Sequence, residues 1–178
     1  MFIQLGTPDA PTPAAVRRYL AEFLSDPRVV DLHRAIWLPL LHGVILRTRP
    51  QRSAVLYQHI WREDGLSPLF YYTQKQAQAV AQALQSEAVV VHFAMRYGHP
   101  ALAVLLESML NAGVERVLIF PLFPQYAAAT TASVLDAVQA ALGRRRFIPT
   151  LRFAQPIFAH PGYIAAWCAQ IRAQADLQ

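Results

Sequence analysis

Lysine is nearly absent from this sequence of 178 residues: Lys75 stands alone, and the formal net charge of +5 is carried by arginine. That balance suits anionic partners such as carboxylates, phosphates, acidic lipid or nucleic acid, because the guanidinium fork pairs with planar anions. No helix-turn-helix, zinc-finger or RNA-binding signature accompanies it, so no nucleic-acid partner is expected. Cysteine occurs once, at Cys168 in an apolar helical pattern. This excludes a disulfide framework and a thiolate metal cluster, and predicts a buried, inert thiol. The histidines His33, His42, His59, His92, His99 and His160 include no i, i+4 pair with a glutamate, so no metal site is expected within the chain. Glycine is too sparse for a phosphate-cradling loop, since Leu5-Gly6-Thr7-Pro8 offers one glycine and a proline. There is no Gly-x-Ser-x-Gly nucleophile elbow. No apolar run is long enough to span a bilayer, and the amino terminus lacks a charged region followed by a signal core. A soluble cytoplasmic protein is the expectation.

What is present is a chain of 54% hydrophobic and 15% charged residues, long enough for one well-buried domain. The most informative stretch runs from Arg116 to Ser133. Val117 to Phe120 reads as a strand buried on both faces, and Pro121 and Pro124 stop it. Thr130 and Thr131 are placed to cap a helix from Ala132 to Leu142, and Gly143 with Arg144, Arg145 and Arg146 supplies its cationic end. The intervening loop holds Phe123, Gln125 and Tyr126, then small side chains and hydroxyls. It suits a flat apolar ligand better than a phosphate, or else Phe123 and Tyr126 plug the top of the core.

Earlier in the chain, Phe2 to Leu5 reads as a first strand, followed by a helix that Thr12 caps with Pro13 at its first position. Ile36 to Leu46 is nearly all apolar and bracketed by arginines; it is either a buried helix, the favoured reading, or a greasy lip with cationic edges. Helices are expected from Ser53 to Arg62 and, opened by Ser67-Pro68, from Leu69 to Gln85. Further strands are expected from Glu87 to Met95 and Phe147 to Phe153, with helices from Ala101 to Asn111 and after His160-Pro161-Gly162. Strand and helix alternate throughout, which predicts α/β architecture with a parallel sheet of about four strands. Ligands of such sheets bind outside the carboxyl ends of the strands. Two loops, Arg96-Tyr97-Gly98-His99 and Phe123 to Thr131, are expected there on adjacent strands. Arg96 and Tyr97 together could hold a carboxylate, or Arg96 could cap a neighbouring helix. Thr48-Arg49 with Tyr57 is a further carboxylate candidate.

Several motifs in order resemble one family. Leu5-Gly6-Thr7-Pro8, Tyr19 through Val30, Arg49-Pro50 with Arg52-Ser53-Ala54 and Tyr57, Ser67-Pro68-Leu69, Ala94 through Gly98, and Pro121 through Thr131 are similar to the amino-terminal half of bacterial ferrochelatases. The resemblance implies a chelatase-like (Rossmann-like) α/β fold of two similar domains. Residues 1–158 would form the first, and residues 159–178 a helix leading into a second that these residues do not include. It implies insertion of ferrous iron into protoporphyrin IX to give protohaem, with porphyrin and ferrous iron as substrates and no tightly held cofactor. It also implies peripheral contact with the inner membrane through Ile36 to Leu46 and pairing with a second chelatase domain.

Carried over by motif, Arg49, Tyr57 and Ser67 lie along the porphyrin pocket and its propionate end. Arg96 and Tyr97 belong to the active-site wall, and Phe123, Gln125 and Tyr126 lie near the macrocycle face. The family's Ser-x-His motif, whose histidine accepts the pyrrole protons, does not occur in these residues, so the chain alone is expected to be inactive. Further departures are Ala127-Ala128-Ala129 in place of a hydroxyl-rich run, Phe123 for a tyrosine, Gln4 for an asparagine, and Leu66 inserted before Ser67. A non-catalytic half-domain that binds a tetrapyrrole or pairs with another chain is the alternative.

Overall fold

The computed structural model describes residues 1–143 and 145–175. Helical crossovers join each strand to the next, and the sheet orders as β2-β1-β3-β4, parallel throughout. The strands are β1 (Phe2–Gly6), β2 (Phe93–Tyr97), β3 (Arg116–Pro121) and β4 (Thr150–Phe153). The helices are α1 (Pro13–Leu24), α2 (Arg34–Leu40), α3 (Leu46–Ile60), α4 (Pro68–Ala83), α5 (Leu102–Asn111), α6 (Ser133–Leu142) and α7 (Pro161–Ala175). Two wide π turns, Leu41–Ile45 and Ala128–Ala132, lead directly into α3 and α6.

Helix starts follow their local chemistry. Thr12 Oγ1 accepts from the Ala15 N–H at 3.4 Å ahead of Pro13, and Ser67 Oγ accepts from the Phe70 N–H at 3.1 Å ahead of Pro68. Two cores result. Ile3, Ala94, Val117 and Ile119 on the sheet pack against Leu102, Leu106, Val134 and Val138 of α5 and α6. On the other side Val16, Tyr19 and Leu20 of α1 pack against Leu41, Leu46, Ala54 and Tyr97.

Several elements depart from the sequence reading. β3 is not buried on both faces: Val117 and Ile119 face α5 and α6, while Leu118 between them is 51% exposed. The expected strand from Glu87 begins only at Phe93, because β1 offers ladder partners from Phe2 onward; Val90 is left 73% exposed. β4 is shorter than expected for the same reason, its pairing starting at Arg116 with Thr150 and leaving Phe147 and Ile148 in solvent. β2 and β3 are not neighbours; β1 lies between them, so the two candidate loops flank the turn after β1.

α3 starts before Ser53, at Leu46, because the upstream π turn delivers the chain already helical and carries it through Pro50. Thr130 and Thr131 do not cap α6; they lie inside the second π turn, where Thr130 Oγ1 donates to the Ala127 carbonyl at 3.2 Å. At the far end of α6, Arg145 donates to Asn111 Oδ1 at 2.7 Å, and Arg144 lies outside the described residues. Burial of Ile36 to Leu46 is also corrected. Leu41 and Leu46 are buried and Trp37, Leu38 and Ile45 pack half-buried against the same core, but Ile36 is 71% exposed. Cys168 is half-buried rather than buried, on a helix none of whose residues is buried. That helix accounts for most of residues 159–178, of which 176–178 lie outside the described residues.

Candidate functional site

The carboxyl edge of the sheet gathers the ends of β1, β2 and β3, and beneath it lies one buried polar cluster. Burying a guanidinium demands a paired anion. β2 ends in Arg96-Tyr97, and Asp26, in the turn after α1, is the anion that Arg96 finds there. Its Oδ2 accepts from Arg96 Nη2 at 2.6 Å, from the Tyr97 hydroxyl at 2.7 Å and from Ser133 Oγ at 2.6 Å. Asp26 Oδ1 accepts from the Arg28 N–H at 2.7 Å, an Asx turn that fixes the chain just past α1. Arg96 Nε donates to Ser133 Oγ at 2.7 Å and to its carbonyl at 3.0 Å, and the guanidinium lies over the Tyr97 ring at 4.4 Å. Three parts of the chain therefore meet: the turn after α1, the end of β2 and the start of α6.

Burial alone would raise the Asp26 carboxyl; the hydrogen bonds from Ser133, Tyr97 and the Arg28 N–H, with the Arg96 charge, outweigh it and hold the group below the ordinary carboxylate value. Burial pushes the Tyr97 phenol well up, so Tyr97 stays a neutral donor. Around the cluster, Arg28 makes a two-pronged pair with Asp136 at 2.7 and 3.2 Å, clamping this turn to α6. Asp9, in the turn after β1, pairs with Arg18 at 3.2 Å and meets His99 at 3.1 Å, while the Gly98 N–H donates to Glu22 at 2.8 Å. The apolar lip is moored to the same end of α1, with Arg34 donating to the Ser25 carbonyl at 2.9 Å and Trp37 Nε1 to the Leu24 carbonyl at 2.7 Å.

The candidate residues from the sequence fall into three groups. Arg96 and Tyr97 form the cluster, and the carboxylate they hold is Asp26. Phe123 packs against the α5/α6 core, whereas Gln125 and Tyr126 stand exposed on the loop beyond it. Arg49 is exposed on α3, and Tyr57 is half-buried further along that helix, its ring edge-on to Trp61 at 6.1 Å. Burial raises the Tyr57 phenol, with the Arg49 charge working against it. Ser67 is buried as the cap of α4, and Ser67→Ala is expected to cost about 1 kcal/mol in a urea titration through loss of that cap.

Sequence reasoning missed Asp26 and Ser133. The signal available was indirect: a guanidinium at a buried strand end needs an acid, and acids are few in this chain. Among the described residues no group of three or more His, Cys, Asp or Glu side chains is placed to hold a metal ion. No described helix is long and apolar enough to cross a membrane.

The family model for ferrochelatase matches residues 1–178. The ferrochelatase of Methylibium petroleiphilum is 53% identical over 168 residues, covering 93% of this chain and 46% of that protein. The ferrochelatase of Azoarcus sp. strain BH72 is 51% identical over 173 residues, covering 97% and 47%. That of Shewanella denitrificans is 48% identical over 185 residues, covering 99% and 54%. The chain spans about half the length of the curated relatives it matches. With its α/β fold and a family match along its whole length, the chain belongs to the ferrochelatase family.

Proposed function

We propose that this chain is the porphyrin-binding half of an enzyme that inserts ferrous iron into protoporphyrin IX to give protohaem. The observation that carries this is the family match over all 178 residues. The geometry agrees with it in kind. A flat dianionic tetrapyrrole needs apolar surface with cationic edges, and the carboxyl edge of the sheet offers exposed Tyr126, the small side chains of Ala127 and Ala128, and an apolar lip followed by Arg49. Arg49, Tyr57 and Ser67 are assigned to the propionate end, Arg96 and Tyr97 to the wall, and Phe123, Gln125 and Tyr126 to the macrocycle face. In this reading the lip also rests on a membrane surface. α7 exposes Ile164, Trp167 and Ile171 along one stripe, which suits contact with a second chelatase domain.

The test is titration of the purified chain into dilute protoporphyrin IX, followed by absorbance and fluorescence. Arg49→Ala is the informative variant, because Arg96 is already engaged by Asp26 and its removal would disturb the fold. Saturable binding that Arg49→Ala weakens about tenfold is expected, the size of one charge-assisted contact. Absence of saturable binding would remove the reading of this half as a porphyrin-binding unit, and unchanged affinity would remove Arg49 from the site.

A further inference from the structure

The lip and the helices behind it carry a charge pattern of which porphyrin binding uses only Arg49. From Leu32 to Arg62 there is no acidic residue, while Arg34, Arg47, Arg49, Arg52 and Arg62 are all cationic. Ile36, Leu40 and Val44 recur at four-residue spacing and are 71%, 43% and 52% exposed. Just beyond Val44, between α1 and α3, lies an open groove of about 370 Å³ lined by Pro13, Ala14, Arg17, Arg47, Pro50 and Gln51. Arg17 and Arg47 enter no ion pair among the described residues, in contrast to Arg18, Arg28, Arg62 and Arg96. Thr48 Oγ1 donates to the Val44 carbonyl at 3.1 Å, tying the end of the apolar stripe to the turn that bears Arg47.

We propose that this groove seats the phosphate of an anionic phospholipid, held by Arg17 and Arg47, while the lip beside it enters the acyl boundary. Two unpaired guanidiniums around a small cleft match one phosphodiester, and the volume falls within the ~300–1,000 Å³ of small-ligand clefts. The apolar stripe alone would give weak, composition-blind adsorption; the arginines make it selective for anionic headgroups. The proposal rests on the membrane contact proposed above and narrows it to a headgroup class and two residues.

The experiment is co-sedimentation of the chain with vesicles of phosphatidylcholine alone and of phosphatidylcholine with phosphatidylglycerol. Four proteins are compared: wild type, Arg17→Gln/Arg47→Gln, the charge-matched Arg116→Gln/Arg152→Gln on β3 and β4, and Ile36→Ser/Val44→Ser. Wild type is expected to prefer the phosphatidylglycerol vesicles, and the Arg17/Arg47 pair to lose about thirtyfold on them, at roughly 1 kcal/mol per arginine. The Arg116/Arg152 pair should stay within about twofold of wild type. Equal losses in the two arginine pairs would overturn the groove in favour of diffuse charge. Equal wild-type binding to both vesicle types would overturn it too, with the lip reading intact if Ile36→Ser/Val44→Ser weakens both. Binding of the wild type to neither would overturn the proposal and the membrane reading together.

Discussion

Gly6→Ala is expected to abolish the folded state or to lower its stability by more than about 4 kcal/mol, the range reserved for severe steric and backbone conflicts. Gly6 closes β1 at φ +121°, a conformation that side chains with a Cβ rarely adopt. A Cβ built there falls 1.8 Å from the Tyr97 carbonyl oxygen and 2.8 Å from its carbon. The obstacle is backbone of the neighbouring strand, and β2 cannot step aside. Tyr97 is fully buried, and its hydroxyl is held by Asp26. Gly98 repeats the crowding from the other side, its Cβ falling 2.8 Å from the Thr7 carbonyl oxygen at φ +83°. The turns after β1 and β2 thus cross at a distance that only glycine permits. Gly43→Ala is the control: it lies in the first π turn with nothing within 4 Å of the added methyl, and should be neutral or slightly stabilising. Urea unfolding followed by circular dichroism reads both. A Gly6→Ala midpoint close to wild type would show that the crossing has slack.

The same crossing explains what the sequence could and could not reveal. α1 and α4 were legible because their signals are local: Thr12 before Pro13 and Ser67 before Pro68 name the first turns outright. The α/β alternation was legible because it needs only the order of elements. Strand limits were not. Val89 and Val90 are as β-prone as Phe93 and Ala94, and what separates them is where β1 begins, which lies far away in the chain. Leu118 looked buried for a similar reason, since a continuous apolar run does not say whether both faces of its sheet are covered. In the lip, only Leu41 and Leu46 are fully buried, a selection made by α1 and by the π turn rather than by composition. At the site, Arg96 and Tyr97 could be recognised as an anion-binding pair. Their anion could not, because Asp26 is 70 residues earlier and reads locally as the end of a helix.

Asp26→Ala is expected to cost about 3–5 kcal/mol, the usual penalty for leaving a buried cation without its partner. Asp26 is 8% exposed and its carboxylate is the meeting point of four donors. Removing it takes the counter-charge from the Arg96 guanidinium, which keeps only its Nε bonds to Ser133, and leaves the Tyr97 and Ser133 hydroxyls to each other at 2.9 Å. If the penalty comes from the stranded cation, Asp26→Ala/Arg96→Met should cost clearly less than the sum of its two single changes, and a double-mutant cycle in urea measures that difference. Additive costs would instead mean that each side chain acts through its own packing. The pH dependence is an independent check. The folded carboxyl lies below its unfolded value of about 3.9, so the unfolded state binds the proton more readily. The stabilisation is therefore complete above pH ~4 and is lost as pH falls through the lower, folded value. Asp26→Asn keeps the shape without the charge and should flatten that acid limb relative to wild type. A limb unchanged in Asp26→Asn would assign acid sensitivity to the exposed pairs, Asp9 with Arg18 or Asp64 with Arg62, which are screened by solvent and hold the fold far less.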